Sequence, residues 1–352
     1  MNINRFAVAL TLFVTFVVSP ETAQSQVFDP GPSDPALFTT VINLPPDPDI
    51  GAGESIGGST QLNVSDGGSV GSSFNANSGS EVNISGGDVR DDFTAFDSEV
   101  NISGGIVGFG FDANSGSVVN ISGGLVTGVE ASTGSVVNIS GGIVGDNNLF
   151  SLALTANSGC VVNISGGLVT GVEASPGSVV NITGGTVDIG VSAAIAQIGL
   201  FASSGSEVNI SGGTVPGFGF FAQDGSEVNI RGTQFSLNGE LLDELVVGET
   251  FTITEPIQAL TGILADGSSF SFGESYGEGY GGPAFSPDAT LTVTLSLILG
   301  DVNVDGEVNF LDISPFIVLL SAGDFQDEAD VDGNGVVNFL DIAPFISLLI
   351  ES

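Results

Sequence analysis

The sequence predicts a mainly β protein: a right-handed parallel β-helix, closed by a C-terminal β cap and followed by a small α-helical module. Three observations predict it. From Gln61 to Arg231 the chain repeats a unit with a period of about twenty residues, the mark of a solenoid. Inside the unit, polar and apolar residues alternate as in a strand, and a Gly-Gly pair follows. Beyond residue 300, one twelve-residue Asp/Asn/Gly pattern occurs twice, and a short apolar run follows each copy.

In chain order, the predicted organisation is a signal peptide over 1–25, a Pro/Gly-rich leader and N-terminal cap over 26–58, repeats over 59–235, a β cap over 236–299 and the helical module over 300–352. Arg5 supplies a positive start, Phe6 to Val18 an apolar run, and Ala23-Gln24-Ser25 a small-x-small cleavage site, with cleavage near Ser25-Gln26. That run is shorter than the roughly 20 apolar residues a spanning helix needs, so export rather than anchorage is expected. Gln26 to Ile50 is rich in Pro and Asp, extended at its prolines.

The repeated unit reads Gly-Ser-Glu/Val-Val-Asn-Ile-Ser-Gly-Gly-x-Val. Its Asn falls at 63, 83, 101, 120, 138, 163, 181, 209 and 229. In Glu81-Val82-Asn83-Ile84-Ser85, Val82 and Ile84 face one side and Asn83 and Ser85 the other. Gly86-Gly87 then turns the chain, and Val89 opens a second short strand. One coil cannot bury its apolar face alone, so the coils must stack. The two longest spacings, 25 and 28, place extra loops at Asp146–Thr155 and Asp188–Ala202. Such tolerance favours a right-handed β-helix. Asn-x-Ser/Thr sequons occur at eight of the nine coils as a by-product of the period. The stacked Asn and Ser side chains are expected to hydrogen-bond along the column, or else to offer a flat polar face to glycan or mineral.

From Phe235 to Leu299 the repeat stops. Asp266-Gly267 between apolar runs predicts a hairpin turn, in a cap that shields the end of the column. Gly273 to Gly282 is a Gly/Glu/Tyr loop, and Tyr276 and Tyr280 are candidates for stacking on a sugar.

The 352 residues include 41 acidic and 3 basic side chains and no His, for a formal net charge of -38. Nucleic acid and anionic membranes are therefore poor partners, and divalent cations good ones. The single cysteine, Cys160, stands where sister coils have Ser, which reads as packing rather than reactivity.

The two C-terminal loops carry the clearest chemistry. Asp301, Asn303, Asp305, Glu307, Asn309 and Asp312 occupy positions 1, 3, 5, 7, 9 and 12 of the first copy. Asp330, Asp332, Asn334, Val336, Asn338 and Asp341 occupy those of the second, with Gly306 and Gly335 at position 6. This is the spacing by which an EF-hand loop wraps Ca2+, a hard cation that takes six to eight oxygens. Position 7 gives only its carbonyl, so Glu307 and Val336 can differ. Two ions are expected. Short helices follow at Ile313–Leu320 and Ile342–Leu349, each with Pro in its first turn. No helix precedes either loop, and position 12 is Asp where an ordinary EF-hand has Glu.

Loop then helix, duplicated, with Asp at position 12, resembles the type I dockerin module. The resemblance covers about one-seventh of the chain and implies two calcium ions and docking on a cohesin-like protein. Positions 10 and 11 are Phe310-Leu311 and Phe339-Leu340, and neither helix carries Lys or Arg. Dockerins of polysaccharide-degrading assemblies use a basic pair there, so the identity of the partner does not carry over.

Dockerins accompany polysaccharide-degrading enzymes, which makes a hydrolase or lyase the rival to a secreted, non-catalytic β-helix stalk. A lyase of this shape needs a Lys or Arg base and a hydrolase clustered Asp with His, whereas beyond the signal only Arg90 and Arg231 are basic. Arg90-Asp91-Asp92, with Asp97, is the best catalytic candidate. A charged outer loop explains it as well, as it does Asp243-Glu244 and Asp327-Glu328, and no catalytic residue is assigned. A glycan-binding adhesin is the third reading, with extracellular polysaccharide as partner. An extracellular bacterial location without a membrane span is expected for all three.

Overall fold

The computed structural model describes residues 38–145, 153–189, 199–215, 217, 219–275, 282–303 and 308–351. The expected signal peptide and the two tyrosines lie outside them. Two parallel sheets build the column. Long strands such as Glu81–Val89, Glu99–Val107 and Val136–Val144 form one, and short strands such as Thr94–Ala95, Phe111–Ala113 and Val129–Ala131 form the other. Every coil pairs in register with the next: Val82 with Val100, Asn83 with Asn101, Ile84 with Ile102, Val89 with Val107. This is the parallel β-helix that the period demanded.

The apolar residues of the unit point inward and stack on their own kind. Val82, Val100, Val119 and Val137 form one buried row, Ile84, Ile102, Ile121 and Ile139 a second, and Ala95, Ala113 and Ala131 a third. The inner position of the short strands is aromatic toward both ends. Phe93 and Phe111 stack at 4.6 Å near one, and near the other Phe220 stacks at 4.6 Å on Phe272 of the cap. Cys160 is buried in the turn row, and burial pushes its thiol up to about 11, which leaves it protonated and inert at neutral pH.

The Gly-Gly pair serves two separate needs. The second glycine has positive φ, as at Gly142 with +76°. The first does not, but it lies directly against the coil before it. A Cβ on Gly141 would sit 2.3 Å from the carbonyl oxygen of Ser122. A side chain there would force the coils apart, so angle and space together fix the pair.

Both extra loops leave the column undisturbed. Ala131 still pairs with Ala156 across the first and Ala174 with Ala202 across the second. The added residues fall between a long strand and the following short one, and 146–152 and 190–198 lie outside the described residues.

The outward-facing asparagines form one continuous amide ladder. Asn138 Nδ2 donates to Asn120 Oδ1 at 2.9 Å, and Asn163 Nδ2 donates to Asn138 Oδ1 at 2.8 Å. The same bond joins every pair of neighbours from Asn63 to Asn229. Parallel in-register stacking brings like amides together, and each has a donor and an acceptor to exchange. The sequon nitrogen is therefore already committed to the ladder.

The ladder extends one rung beyond the repeat at each end. Thr40–Leu44, inside the stretch read as leader, pairs with Thr60–Val64, and Asn63 Nδ2 donates to Asn43 Oδ1. Thr290–Leu295 adds the last parallel strand on Glu227–Leu237, and Thr292 Oγ1 donates to Asn229 Oδ1. Antiparallel strands then cover this end. Leu260–Leu264 and Ser269–Phe272 form the hairpin expected at Asp266-Gly267. A second tight turn, at Asn238-Gly239, joins Glu227–Leu237 to Glu240–Leu241. It carries the Asn-Gly signature of such turns. Asp266 ties the cap to the column by accepting the Gly213 N–H at 2.6 Å.

Two predictions follow from this packing. Gly141→Ala, which clashes with backbone, should cost about 3 kcal/mol. Gly239→Ala, where φ is +87° but nothing lies within 4 Å, should cost about 1 kcal/mol. Denaturant midpoints at unchanged slope measure both, and equal losses would contradict the close-approach argument. Asn138→Ala removes two ladder bonds and should cost about 2 kcal/mol, with a smaller loss for Asn43→Ala at the end of the ladder. Thermal melting of the two variants checks the order.

Candidate calcium and docking site

The C-terminal module has its own small core. Helix α1, Ile313–Ala322, and helix α2, Ile342–Glu351, pack through Phe316 and Phe345, whose rings stack at 4.2 Å and 9°. Val302, Ala329 and Val337 complete that core. Gly323 ends α1 in the left-handed conformation, and its N–H returns to the Leu319 carbonyl. The α-helices begin where the sequence places them, and only a single 3-10 turn, Asp327–Ala329, precedes the second loop.

The position-12 aspartates organise the loops. Asp341 is fully buried. Its Oδ1 accepts the Asp332 N–H at 3.0 Å and its Oδ2 accepts the Asn338 N–H at 2.8 Å. Asp312 does the same in the first loop, accepting from Asn303 at 2.9 Å and Asn309 at 2.8 Å. Each carboxylate thus brackets loop positions 3 and 9. Asp is short enough to do this from the end of the loop.

In the second loop the side chains converge. Carboxylate oxygens of Asp330, Asp332 and Asp341 lie within 4.8 Å of one another. Asp330, itself buried, accepts the N–H groups of Asn334 and Gly335 at 3.0 and 2.7 Å. Asp332 accepts Asn334 Nδ2 at 2.8 Å. Asn334 Oδ1 accepts the Val336 N–H, and the Val336 carbonyl accepts Asn338 Nδ2. Three like charges at this range repel strongly unless a cation joins them. The donors are all oxygen and belong to one turn, which is the donor set Ca2+ prefers. In the first loop, Asp301 is buried and Asn303 and Asn309 are half-buried. Asp305 and Glu307 lie outside the described residues.

Beside each loop an apolar pair stands in solvent. Phe310 and Phe339 are each 79% exposed, and Leu311 and Leu340 each 67%. The Asn at position 9 sets the turn that presents them: Asn309 Oδ1 accepts the Leu311 N–H, and Asn338 Oδ1 accepts the Leu340 N–H. Ile317 and Val318 on α1 and Ile346 on α2 are exposed as well.

The catalytic candidates on the column are turn residues. Arg90, Asp91 and Asp92 are exposed, and Asp91 accepts the Phe109 N–H at 3.0 Å. Asp92 and Asp97 hold positive φ, and Asp97 accepts Ser78 Oγ at 2.5 Å. Asp243 and Glu244 are exposed in the cap. The structure instead brings together Asp112 and Glu130, outward-facing on adjacent coils. Partial burial, then Glu130, then Asp92 raise the Asp112 carboxyl above the usual aspartate range. A signal for this pair is present in the sequence, since Asp112 and Glu130 each stand eight residues before the following Asn, at 120 and 138, but the position lies outside the repeated motif and varies in residue type from coil to coil.

Asp332→Ala should weaken calcium binding by about tenfold or more, roughly 1.4 kcal/mol, and should loosen α2. Calcium titration of the full chain, followed by near-UV dichroism and calorimetry, checks it. An unchanged affinity would remove Asp332 from the site.

No curated protein and no solved structure matches the chain. One family model does, over the segment that holds both loops and both helices: the column is followed by a dockerin type I domain, residues 299–349.

Proposed function

We propose that this is an exported, non-catalytic protein in which a rigid β-helix is attached to a partner protein through its calcium-loaded dockerin domain. The observation that carries the reading is the pair of Phe-Leu dipeptides. Large apolar side chains exposed to this degree at matching positions of two repeats have a cost in water that contact with a partner removes. Their presentation depends on the same loops that hold the metal, so docking is coupled to calcium. The first loop, with the same Asp bracket as the second, takes a second ion.

The partner is cohesin-like in the sense of offering an apolar face to Phe310-Leu311 or Phe339-Leu340. The absence of Lys and Arg from both helices sets it apart from partners chosen through a basic pair. Export rests on the apolar segment after Arg5 and the small residues at 23–25. The non-catalytic part rests on the lack of His and Lys. A reducing-end and unsaturated-product assay on a polysaccharide panel tests that part, and turnover lost in Asp92→Ala or Asp112→Asn would overturn it.

The docking reading is tested by capture from the extracellular fraction with the full chain as bait, in calcium and again in chelator. One protein retained only in calcium is the expected result. Phe310→Ser alone and Phe339→Ser alone should each weaken capture, and the double variant should abolish it. Capture that survives the double variant at full calcium affinity would place the interface elsewhere.

A further inference from the structure

The outer face of the short-strand sheet carries a row of side chains that neither the core nor the dockerin explains. One residue per coil points outward there, between two buried neighbours. Asp112, Glu130, Thr155 and Glu173 stack in that order, and Phe201 and Phe221 continue the row. The flanking residues, such as Leu200 and Ala202 or Phe220 and Ala222, are fully buried and fix the direction of those between them.

The two phenylalanines are unusual for an outward position. Their rings lie nearly parallel, 11° apart with centroids at 5.5 Å, and both are half-buried. Stacked one on the other along the column, they make a continuous apolar strip. Next to it the row changes to Glu173, Thr155 and Glu130, which supply acceptors and one hydroxyl. Glu130 is held in place by Asn157 Nδ2 at 2.8 Å. Ionised carboxylates only accept hydrogen bonds, so they suit a ligand that brings O–H donors.

We propose that this row is a binding face for a single neutral polysaccharide chain lying along the column axis. A pyranose ring has an apolar C–H face, which suits the apolar Phe201–Phe221 strip, and a rim of hydroxyls, which suits Glu173, Thr155 and Glu130. The coils repeat every 4.8 Å or so, about the length of one sugar residue in an extended chain, so successive sugars meet successive coils. Charge selects the class: every charged side chain of the row is negative, on a chain of net charge -38, which repels acidic glycans, and a second copy of the same face, from a distance. The asparagine face is a weaker candidate, because its amides are committed to one another. This inference concerns the column alone and stands or falls separately from calcium-dependent docking.

Affinity electrophoresis of the full chain tests it, in gels that contain neutral glucans, xylans or mannans, acidic polysaccharides, or a basic polypeptide. Retardation by at least one neutral polysaccharide is expected, without retardation by the acidic ones. Phe201→Ser/Phe221→Ser should lower the affinity at least tenfold, and Glu173→Gln several-fold. Phe201→Tyr/Phe221→Tyr, which keeps the aromatic pair, should retain it and guards against misfolding as the cause of a loss. Failure of every neutral polysaccharide to retard the chain would overturn the proposal. So would preference for the acidic polymers or the basic polypeptide, or undiminished binding by a Ser/Ser variant that melts like the parent.

Discussion

Each strand of the column hydrogen-bonds only to the coil before it and the coil after it, so register decides what every side chain touches. A shift of one residue would send Val82 and Ile84 into water and Asn83 into the core. The repeat prevents that shift in three ways at once. Buried valine and isoleucine rows reward one alignment. The amide ladder rewards the same one. The glycine pair allows the coils to approach only where Gly141 faces the Ser122 carbonyl. None of these is large alone, but each acts at every coil, which is how a solenoid gathers its stability.

The regular part was legible because these three requirements leave three marks in every unit: alternation, Asn and Gly-Gly. The closing rungs were less so. Thr40–Leu44 keeps Asn between two apolar residues, as Ile42-Asn43-Leu44, but has no Gly-Gly after it, and Thr290–Leu295 replaces the ladder Asn with Thr292. An end strand has a neighbour on one side only, so the features needed to be stacked upon from both sides are absent. The role of the first glycine was also hidden, because proximity between coils is a tertiary fact. The outward row from Asp112 to Phe221 left a regular mark, since each member stands eight residues before the next coil's Asn, but its residue type changes from acid to Thr to Phe, and only the sheet shows that these side chains share one face.

The dockerin domain was legible in another way. Metal chemistry ties residue type to position along a short loop, so Asp330, Asp332 and Asp341 could be paired from spacing, and they do converge. Spacing did not reveal the second task of Asp341 and Asp312, which hold two backbone N–H groups each. The loop thereby owes part of its shape to its own terminal carboxylate. The same residue links the ion to the helix that follows it and to the turn that presents Phe-Leu.

The amide ladder also has a direction. Every asparagine from Asn63 to Asn229 donates toward the coil nearer the N-terminus and accepts from the coil after it. Each coil is therefore a connector with one kind of fitting below and the complementary kind above. A whole coil can be inserted or removed between two others, and the surfaces left facing one another still match. Unequal recombination within the repeat would yield columns that differ in height by steps of about 4.8 Å, all closed by the same two ends. Length in such a molecule is a quantity that evolution can adjust by counting.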